Sequence, residues 1–324
     1  MKLTTGLNPY GLTYYLGLQA AGTPRANPKP AGLEGFLALT EELGGKAVEL
    51  WEGWLKDADL PALRARLDQK GWKRIISSGL QHGDVEFLIK AAKALDTKLI
   101  RLALTPILCG DRAAAGQRWH ELVHSVNDKL ERFAPMAEAA GVTLLIENHQ
   151  DFTSRELVGL CEEYGPAVRI VFDMANTFPV AESPIDFTRV IAPYVRYCHI
   201  KDYRVQFTEE GLRLVRCASG DGCVPYTEMF EIIGKHNEEL VACIEVGALE
   251  ARHVKLLTPE WWHGYAPKPA EELAACLKAA RKNRLADDAD WQTPWEKGAD
   301  HDLAQYELEQ YRQSARNLKA LGLM

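Results

Sequence analysis

Along the chain, apolar residues gather into short runs rich in Val, Ile and Leu, each closing on polar residues. Segments with helical spacing lie between them. Short apolar runs bounded by polar residues predict buried strands, and apolar recurrence at three and four residues predicts amphipathic helices. Eight strands are expected: Leu3–Asn8, Lys46–Trp51, Lys73–Ser78, Lys98–Leu104, Val142–Asn148, Val168–Asp173, Val195–Ile200 and Leu240–Val246. A helical segment follows each of the first seven. Leu88, Ala91, Ala92 and Leu95 recur at helical spacing after the third strand, and Leu157, Leu160, Cys161 and Tyr164 after the fifth. Thr153 with Glu156 forms a capping box, and Ser183 followed by Pro184 suits a helix start. The stretch from Ala113 to Ala140 has room for one extended helix or two short ones.

Strict alternation of strand and helix implies parallel strands, and eight such units close a (β/α)8 TIM barrel of the α/β class. A doubly wound open sheet is the rival, but no Gly-rich phosphate-binding turn follows the first strand. From Thr258 the pattern changes. PEWWHGY, YAPKP and TPWEKG contain no strand, and a final helix from Leu303 to Leu321 carries Tyr306, Leu308, Tyr311, Ala315 and Leu318 along one face. The expected division is a barrel over residues 1–257 and a helical and irregular C-terminal extension over 258–324, anchored by Trp261, Trp262, Trp291 and Trp295. That extension could cover the barrel mouth, pack on the outer helices or mediate a homo-oligomer.

Composition narrows the class. The 324 residues are 47% hydrophobic and 26% charged with a formal net charge of −7, and no Lys/Arg cluster has the density of a nucleic-acid footprint. No nucleic-acid partner is expected. The seven Cys are odd in number and show no CxxC spacing, which reads as reduced core thiols. Asn8, Gln19 and scattered Gly interrupt any leader-like apolar run, and no later run is long enough to span a membrane. A soluble cytoplasmic protein without a membrane partner is expected.

The polar residues that close four consecutive runs carry the chemistry. They are Glu147, Asp173, His199 and Glu245. In a barrel, strand C-termini face the active site, so these four are a ligand set for one divalent metal. Three carboxylates favour the harder ions, Mn first, with Co, Mg, Fe or Zn as alternatives. Strand alternation adds that if Glu147 points inward so does His149, with Asn148 pointing away; His199 then shares a face with Lys201, and Glu245 with Cys243. Any one of these alone reads most simply as a solvated or paired strand-end group. Four suitable types on four successive strands weigh against that reading.

The series IENH, FDMAN, HIKD and IEVG resembles the xylose-isomerase-like TIM-barrel superfamily. That superfamily includes D-tagatose 3-epimerase-type enzymes, hydroxypyruvate isomerase, inosose dehydratase, endonuclease IV and 3-oxo-isoapionate decarboxylase-type enzymes. The resemblance is strongest from Val142 to Val246. It implies that Glu147, Asp173, His199 and Glu245 bind one divalent ion, and that Glu147 and Glu245 double as bases. Glu49 and the Gly220–Asp221–Gly222 turn are further similar marks, Glu49 with substrate binding as its expected role, and His82 and Arg204 lie on loops where the family binds substrate. Two departures matter. Asn176 stands where epimerases and endonuclease IV carry a His, which argues against a multi-zinc nuclease. Asn148 and His149 follow Glu147 where epimerases tend to have Pro, which offers His149 as an extra acid/base.

The implied chemistry is proton movement beside a carbonyl, with the ion acting as Lewis acid toward a developing enediolate. Isomerisation or epimerisation of a ketose or keto-sugar acid leads, with Lys201 or Arg204 orienting a small sugar or sugar-acid substrate. A lyase of sugar catabolism that decarboxylates, eliminates or cleaves a 3-oxo-glycoside is second. A non-catalytic barrel subunit of a complex is third.

Overall fold

The computed structural model describes residues 1–247 and 249–324. Eight parallel strands close a barrel. In chain order they begin with β1 (Lys2–Leu7), β2 (Ala47–Trp51), β3 (Lys73–Gly79), β4 (Leu99–Ala103), β5 (Thr143–Glu147), β6 (Val168–Asp173) and β7 (Val195–Ile200). A hairpin of β8 (Asp202–Phe207) and β9 (Leu212–Cys217) intervenes, and β10 (Glu239–Ile244) then returns to pair with β1, Lys2 opposite Glu239.

Outside the strands lie α1 (Gly32–Leu43), α2 (Glu52–Asp57), α3 (Leu60–Lys70), α4 (Val85–Ala94), α5 (Arg112–Ala115), α6 (Gln117–Ala140), α7 (Ser154–Glu163), α8 (Pro184–Ile191) and α9 (Tyr226–Gly234). Local chemistry sets their starts. The side chains of Asp59, Asp84 and Ser183 accept from backbone N–H groups of the first turns of α3, α4 and α8. Thr153 and Glu156 make a reciprocal capping box on α7. The segment after β4 divides into a single turn and a long helix because Gly116 between them adopts φ +52° and ψ −128°, a conformation that a side chain would strain.

Two-residue alternation builds the interior in rings. Ala47, Ile75, Leu145, Val171, Tyr197 and Cys243 form a fully buried apolar plug against which Leu99 packs. At β1 that ring holds Gly6, since a Cβ there would come within 1.9 Å of the Ala47 carbonyl oxygen. Two residues further along each strand stand Asn8, Glu49, Ser77, Arg101, Glu147, Asp173, His199 and Glu245, all buried. The barrel therefore changes from apolar to wholly polar in one step, at its C-terminal end.

The hairpin departs from the expectation of a helix directly after the seventh strand. Tyr203, Val205 and Phe207 alternate with polar residues and face Arg216, Leu214 and Leu212 across a Thr208–Gly211 turn. This is a period-two pattern, and helix α9 starts only after it. A further strand, β11 (Arg252–Val254), pairs antiparallel with β9 and completes a three-stranded sheet.

The chain after β11 wraps the same end of the barrel through α10 (Ala270–Ala280) and α11 (Asp300–Ala320). Trp261 Nε1 donates to the Cys109 carbonyl (3.1 Å), and Tyr265 OH to that of Gly110 (2.8 Å). Arg112 Nη1 donates to the Gly264 carbonyl (2.9 Å). From α11, Tyr311 OH donates to the Asn8 carbonyl (2.8 Å), and Glu307 accepts from the backbone N–H groups of Tyr14 (3.1 Å) and Tyr15 (2.8 Å). Ser314 Oγ accepts from Ser219 N at 2.9 Å, so one helix ties the first loop of the barrel to the turn after β9. Among the described residues no helix is long and apolar enough to cross a membrane, and all seven Cys are unbridged.

Two outcomes test this clasp. Glu307→Ala leaves two buried N–H donors without an acceptor and should lower stability by about 2–4 kcal/mol in denaturant titration. Truncation after Leu257 removes Trp261, Tyr311 and Leu318 together with α10 and α11, which bares the apolar barrel surface they cover, and should give aggregating protein. A soluble monomer with the full-length chain's melting temperature would show the extension to be dispensable.

Candidate metal centre

Glu147 and Asp173 are the last residues of β5 and β6, His199 is the penultimate residue of β7, and Glu245 directly follows β10. All four are buried, and each offers one ligand atom within 4.8 Å of the others. The notable feature is how their oxygens divide. Glu147 Oε2 is held by Arg101 Nη2, Asp173 Oδ2 by Lys201 Nζ (2.5 Å) and Asn176 Nδ2 (2.6 Å), and Glu245 Oε1 by Lys201 Nζ (2.6 Å). The other oxygens of the two glutamates turn to His199 Nδ1, Glu147 Oε1 at 3.1 Å and Glu245 Oε2 at 2.9 Å. Glu245 Oε2 is close to that nitrogen but has no hydrogen bond of acceptable geometry. Buried polar atoms are nearly always partnered, so an unpartnered carboxylate oxygen facing a ring nitrogen fits a cation between them.

The far side of the imidazole agrees. Glu49 Oε2 lies 2.7 Å from His199 Nε2 and also accepts from Tyr197 OH (2.7 Å) and Asn8 Nδ2 (3.1 Å). With a proton on Nε2 donated to Glu49, Nδ1 presents its lone pair to the centre, the arrangement by which a carboxylate orients a metal-binding histidine. Glu49 therefore positions the ring and does not face the ligand space. Counting Glu49, four carboxyl groups meet the cations of Arg101 and Lys201, an excess that one divalent ion balances. The donor set and charge fit such an ion.

The electrostatics follow from burial and these partners. Burial opposes ionisation of Glu147, yet the adjacent Arg101 outweighs it and holds the carboxyl at about 2. Burial likewise opposes ionisation of Glu245, and Lys201 and then His199 hold it well below the usual range. Burial raises Asp173 to about 6 against the pull of Lys201. Burial disfavours a charged His199, but Glu49 and then Glu245 prevail and lift it well above its ordinary value.

The remaining candidates separate. Lys201 bridges Asp173 and Glu245 at the centre itself. His149 is half-buried, its Nδ1 is unpartnered, and burial lowers it to about 4, so the ring is neutral near pH 7. His82 packs its ring over Gly79, where a Cβ would meet Cε1 at 2.4 Å, and has no hydrogen bond to the four ligand residues. Arg204 is exposed on the outer face of the hairpin, opposite Val215, and takes no part in the centre. Asn176 links Asp173 to Tyr203 OH (3.1 Å). The Gly220–Asp221–Gly222 turn cradles the Asp202 carboxylate, which accepts from Gly220 N (2.9 Å) and Gly222 N (3.0 Å); a Cβ on Gly222 would reach 2.1 Å from Asp202 Oδ1.

Sequence reasoning overlooked Arg101, Asn8 and Tyr197. Arg101 had a readable signal, a lone charge inside the apolar run LIRLAL at a position that alternation turns inward. Asn8 and Tyr197 closed or occupied predicted strands without any mark of chemistry.

Known proteins agree with this architecture. The description "xylose isomerase-like TIM barrel" matches residues 37–280. The uncharacterized protein YihM of Escherichia coli (strain K12) is 38% identical over 88 residues, a stretch covering 27% of each chain, so the match spans about a quarter of that relative. A D-psicose 3-epimerase solved in the presence of D-fructose superimposes with a TM-score of 0.56 at 14% identity over 99% of both chains. A xylose isomerase-like TIM barrel protein from Mycobacterium smegmatis in complex with magnesium gives 0.55 at 17% identity over 97% of both. The probable 3-DHS dehydratase AsbF of Bacillus anthracis gives 0.56 at 15% identity over 75% of this chain and 92% of its own. At these identities the solved structures speak to the fold, whereas the sequence match covers most of the chain. The chain belongs to the xylose isomerase-like TIM barrel family.

Proposed function

We propose that the protein is a divalent-metal-dependent enzyme that isomerises or epimerises a ketose or keto-sugar by moving a proton at the carbon next to the carbonyl. The observation that supports it best is the divided use of the carboxylates. One oxygen of Glu147 and of Glu245 is engaged by Arg101 or Lys201, and the other faces His199 Nδ1. Glu147, Asp173, His199 and Glu245 would hold the ion, Mn by preference of the oxygen-rich set, with Co, Mg, Fe or Zn as alternatives. A divalent ion there supplies Lewis-acid polarisation of a carbonyl oxygen.

The chain's own groups divide the remaining work. Arg101 and Lys201 keep Glu147 and Glu245 ionised, which suits ligation and weakens both as bases. His149, neutral and with an unpartnered ring nitrogen, is the better proton acceptor. Lys201, held as a cation by Asp173 and Glu245 against the cost of burial, orients a substrate oxygen by donating to it. Glu49 keeps the imidazole of His199 in its ligating tautomer. The same groups serve a lyase, in which proton removal is followed by loss of water, carbon dioxide or an aglycone. His149 at this place and the dehydratase among the structural neighbours favour that as the second reading.

Protein purified without chelator should carry about one equivalent of divalent metal by elemental analysis, and the ion should raise the melting temperature of chelator-treated protein. Glu245→Gln and Asp173→Asn should lose both. A protein with no metal that gains no stability from any of the five ions would sink the metal reading.

Incubation with a panel of ketohexoses and keto-sugar acids in D2O separates the chemistries. The isomerase reading expects deuterium beside the carbonyl and a product of unchanged mass in unlabelled water. His149→Ala should slow exchange by about 10²–10⁴-fold, the usual share of one acid/base group. Irreversible loss of water, carbon dioxide or an aglycone would replace this reading with the lyase one.

A further inference from the structure

The three-stranded sheet β8–β9–β11 lies beside the polar end of the barrel and has a defined inner face. Its register sets Tyr203 opposite Arg216, and sets Leu214 opposite both Val205 and Arg252. Directly opposed residues of antiparallel strands share a face, as do residues two apart, so Tyr203, Arg216 and Arg252 stand together. That face is the one toward the centre, because Tyr203 OH donates to Asn176, which in turn donates to Asp173. Arg216 also leans on the backbone after β10. A Cβ on Gly247, two residues past Glu245, would come within 2.5 Å of Arg216 Nη1.

Neither arginine is answered. Both are half-buried, and the Nε of each is buried without a hydrogen-bond partner among the described residues. Elsewhere in the molecule buried arginines meet carboxylates, Arg101 with Glu147 and Arg112 with Glu156. Burial lowers the guanidinium of Arg252, and the like charge of Arg216 lowers it further. Glu250 acts on Arg252 and Glu307 on Arg216 through space, but among the described residues neither forms an ion pair with them. Two partly desolvated guanidiniums set close together without a paired carboxylate are costly, and the planar fork of Arg matches carboxylate and phosphate oxygens.

We propose that Arg216 and Arg252 form an anion subsite that grips the carboxylate or phosphate of a negatively charged sugar substrate while its carbonyl end reaches Glu147 and Glu245. The inference rests on the proton-transfer reading above for the role of the second end, and it narrows the substrate from ketoses in general to keto-sugar acids or sugar phosphates. Orientation follows, since a chain held by its charge at one end can offer only the other to His149.

Binding, measured without turnover, tests it. D-glucitol, D-gluconate and D-glucitol 6-phosphate share a polyol chain and differ in terminal charge, and each is titrated calorimetrically into the purified protein at fixed ionic strength. At least one anion should bind about tenfold or more tightly than D-glucitol, as expected for a bidentate charge-assisted contact. Whichever of the two gains more identifies the terminal group. Arg216→Met and Arg252→Met should each erase the preference by weakening the anion far more than D-glucitol, and Arg204→Met on the outer face should retain it. If a Met variant fails to unfold cooperatively, Arg252→Lys serves, since it keeps the charge but loses the fork and should weaken the anion alone. Equal binding of all three polyols by the unaltered protein would overturn the subsite. So would a preference that survives in both arginine variants, because the carboxylate or phosphate would then be held elsewhere. Deuterium exchange plays no part in this readout, so a failed proton-transfer reading and a failed anion subsite give different results.

Discussion

Charge compensation inside a closed barrel is the constraint on which the centre depends. The alternation that buries Ala47, Ile75, Leu145, Val171, Tyr197 and Cys243 in one ring compels the next inward positions into the same dehydrated space. Those positions hold Glu49, Glu147, Asp173 and Glu245, and isolated carboxylates there would be untenable. Arg101 and Lys201 from the neighbouring strands offset part of the cost, and the residual negative charge is what a divalent ion would balance. The amide and hydroxyl groups of Asn8, Asn176 and Tyr197 set angles and leave the charge unchanged.

Much of this was legible because barrel strands obey a simple period. Short apolar runs ending in Glu, Asp, His and Glu located β5, β6, β7 and β10 and the residues at their ends. The same period pointed to Lys201 and His149 as inward neighbours. What escaped was set by tertiary context. The hairpin after β7 sits where barrel grammar calls for a helix, and DYRVQF with LRLVRC reads as strands only when that grammar is set aside. Arg101 was readable in principle, yet a charge within an apolar run is easily passed over unless its inward face is tracked. His82 and Arg204 were placed by loop position alone, and loop position does not say which way a side chain turns. The hairpin register turns Arg204 outward and Arg216 inward, a distinction of one residue.

The hairpin and the C-terminal wrap also shape the mouth of the barrel. The barrel strands are short and share their hydrogen bonds around a closed ring, so they tolerate little change. The segments beyond their C-terminal ends carry few such obligations, and there β8, β9 and β11 bring Arg216 and Arg252 to the edge of the candidate metal centre. On the proposed function, specificity and catalysis would reside on different layers, joined through Tyr203 and Asn176.

The grip of α11 on the opening loop carries a consequence for biosynthesis. Tyr311 reaches back to Asn8 and Glu307 to Tyr14 and Tyr15, contacts that join residues 292 to 303 positions apart. Closure of the ring itself must wait for β10 to meet β1. Because α11 follows β10 in chain order, the barrel strands are synthesised while the mouth is still unbraced. Such long-range closure slows folding and favours assembly after synthesis over stepwise assembly during it. The C-terminal end of the barrel thus takes its final form only once α11 has docked on the first loop.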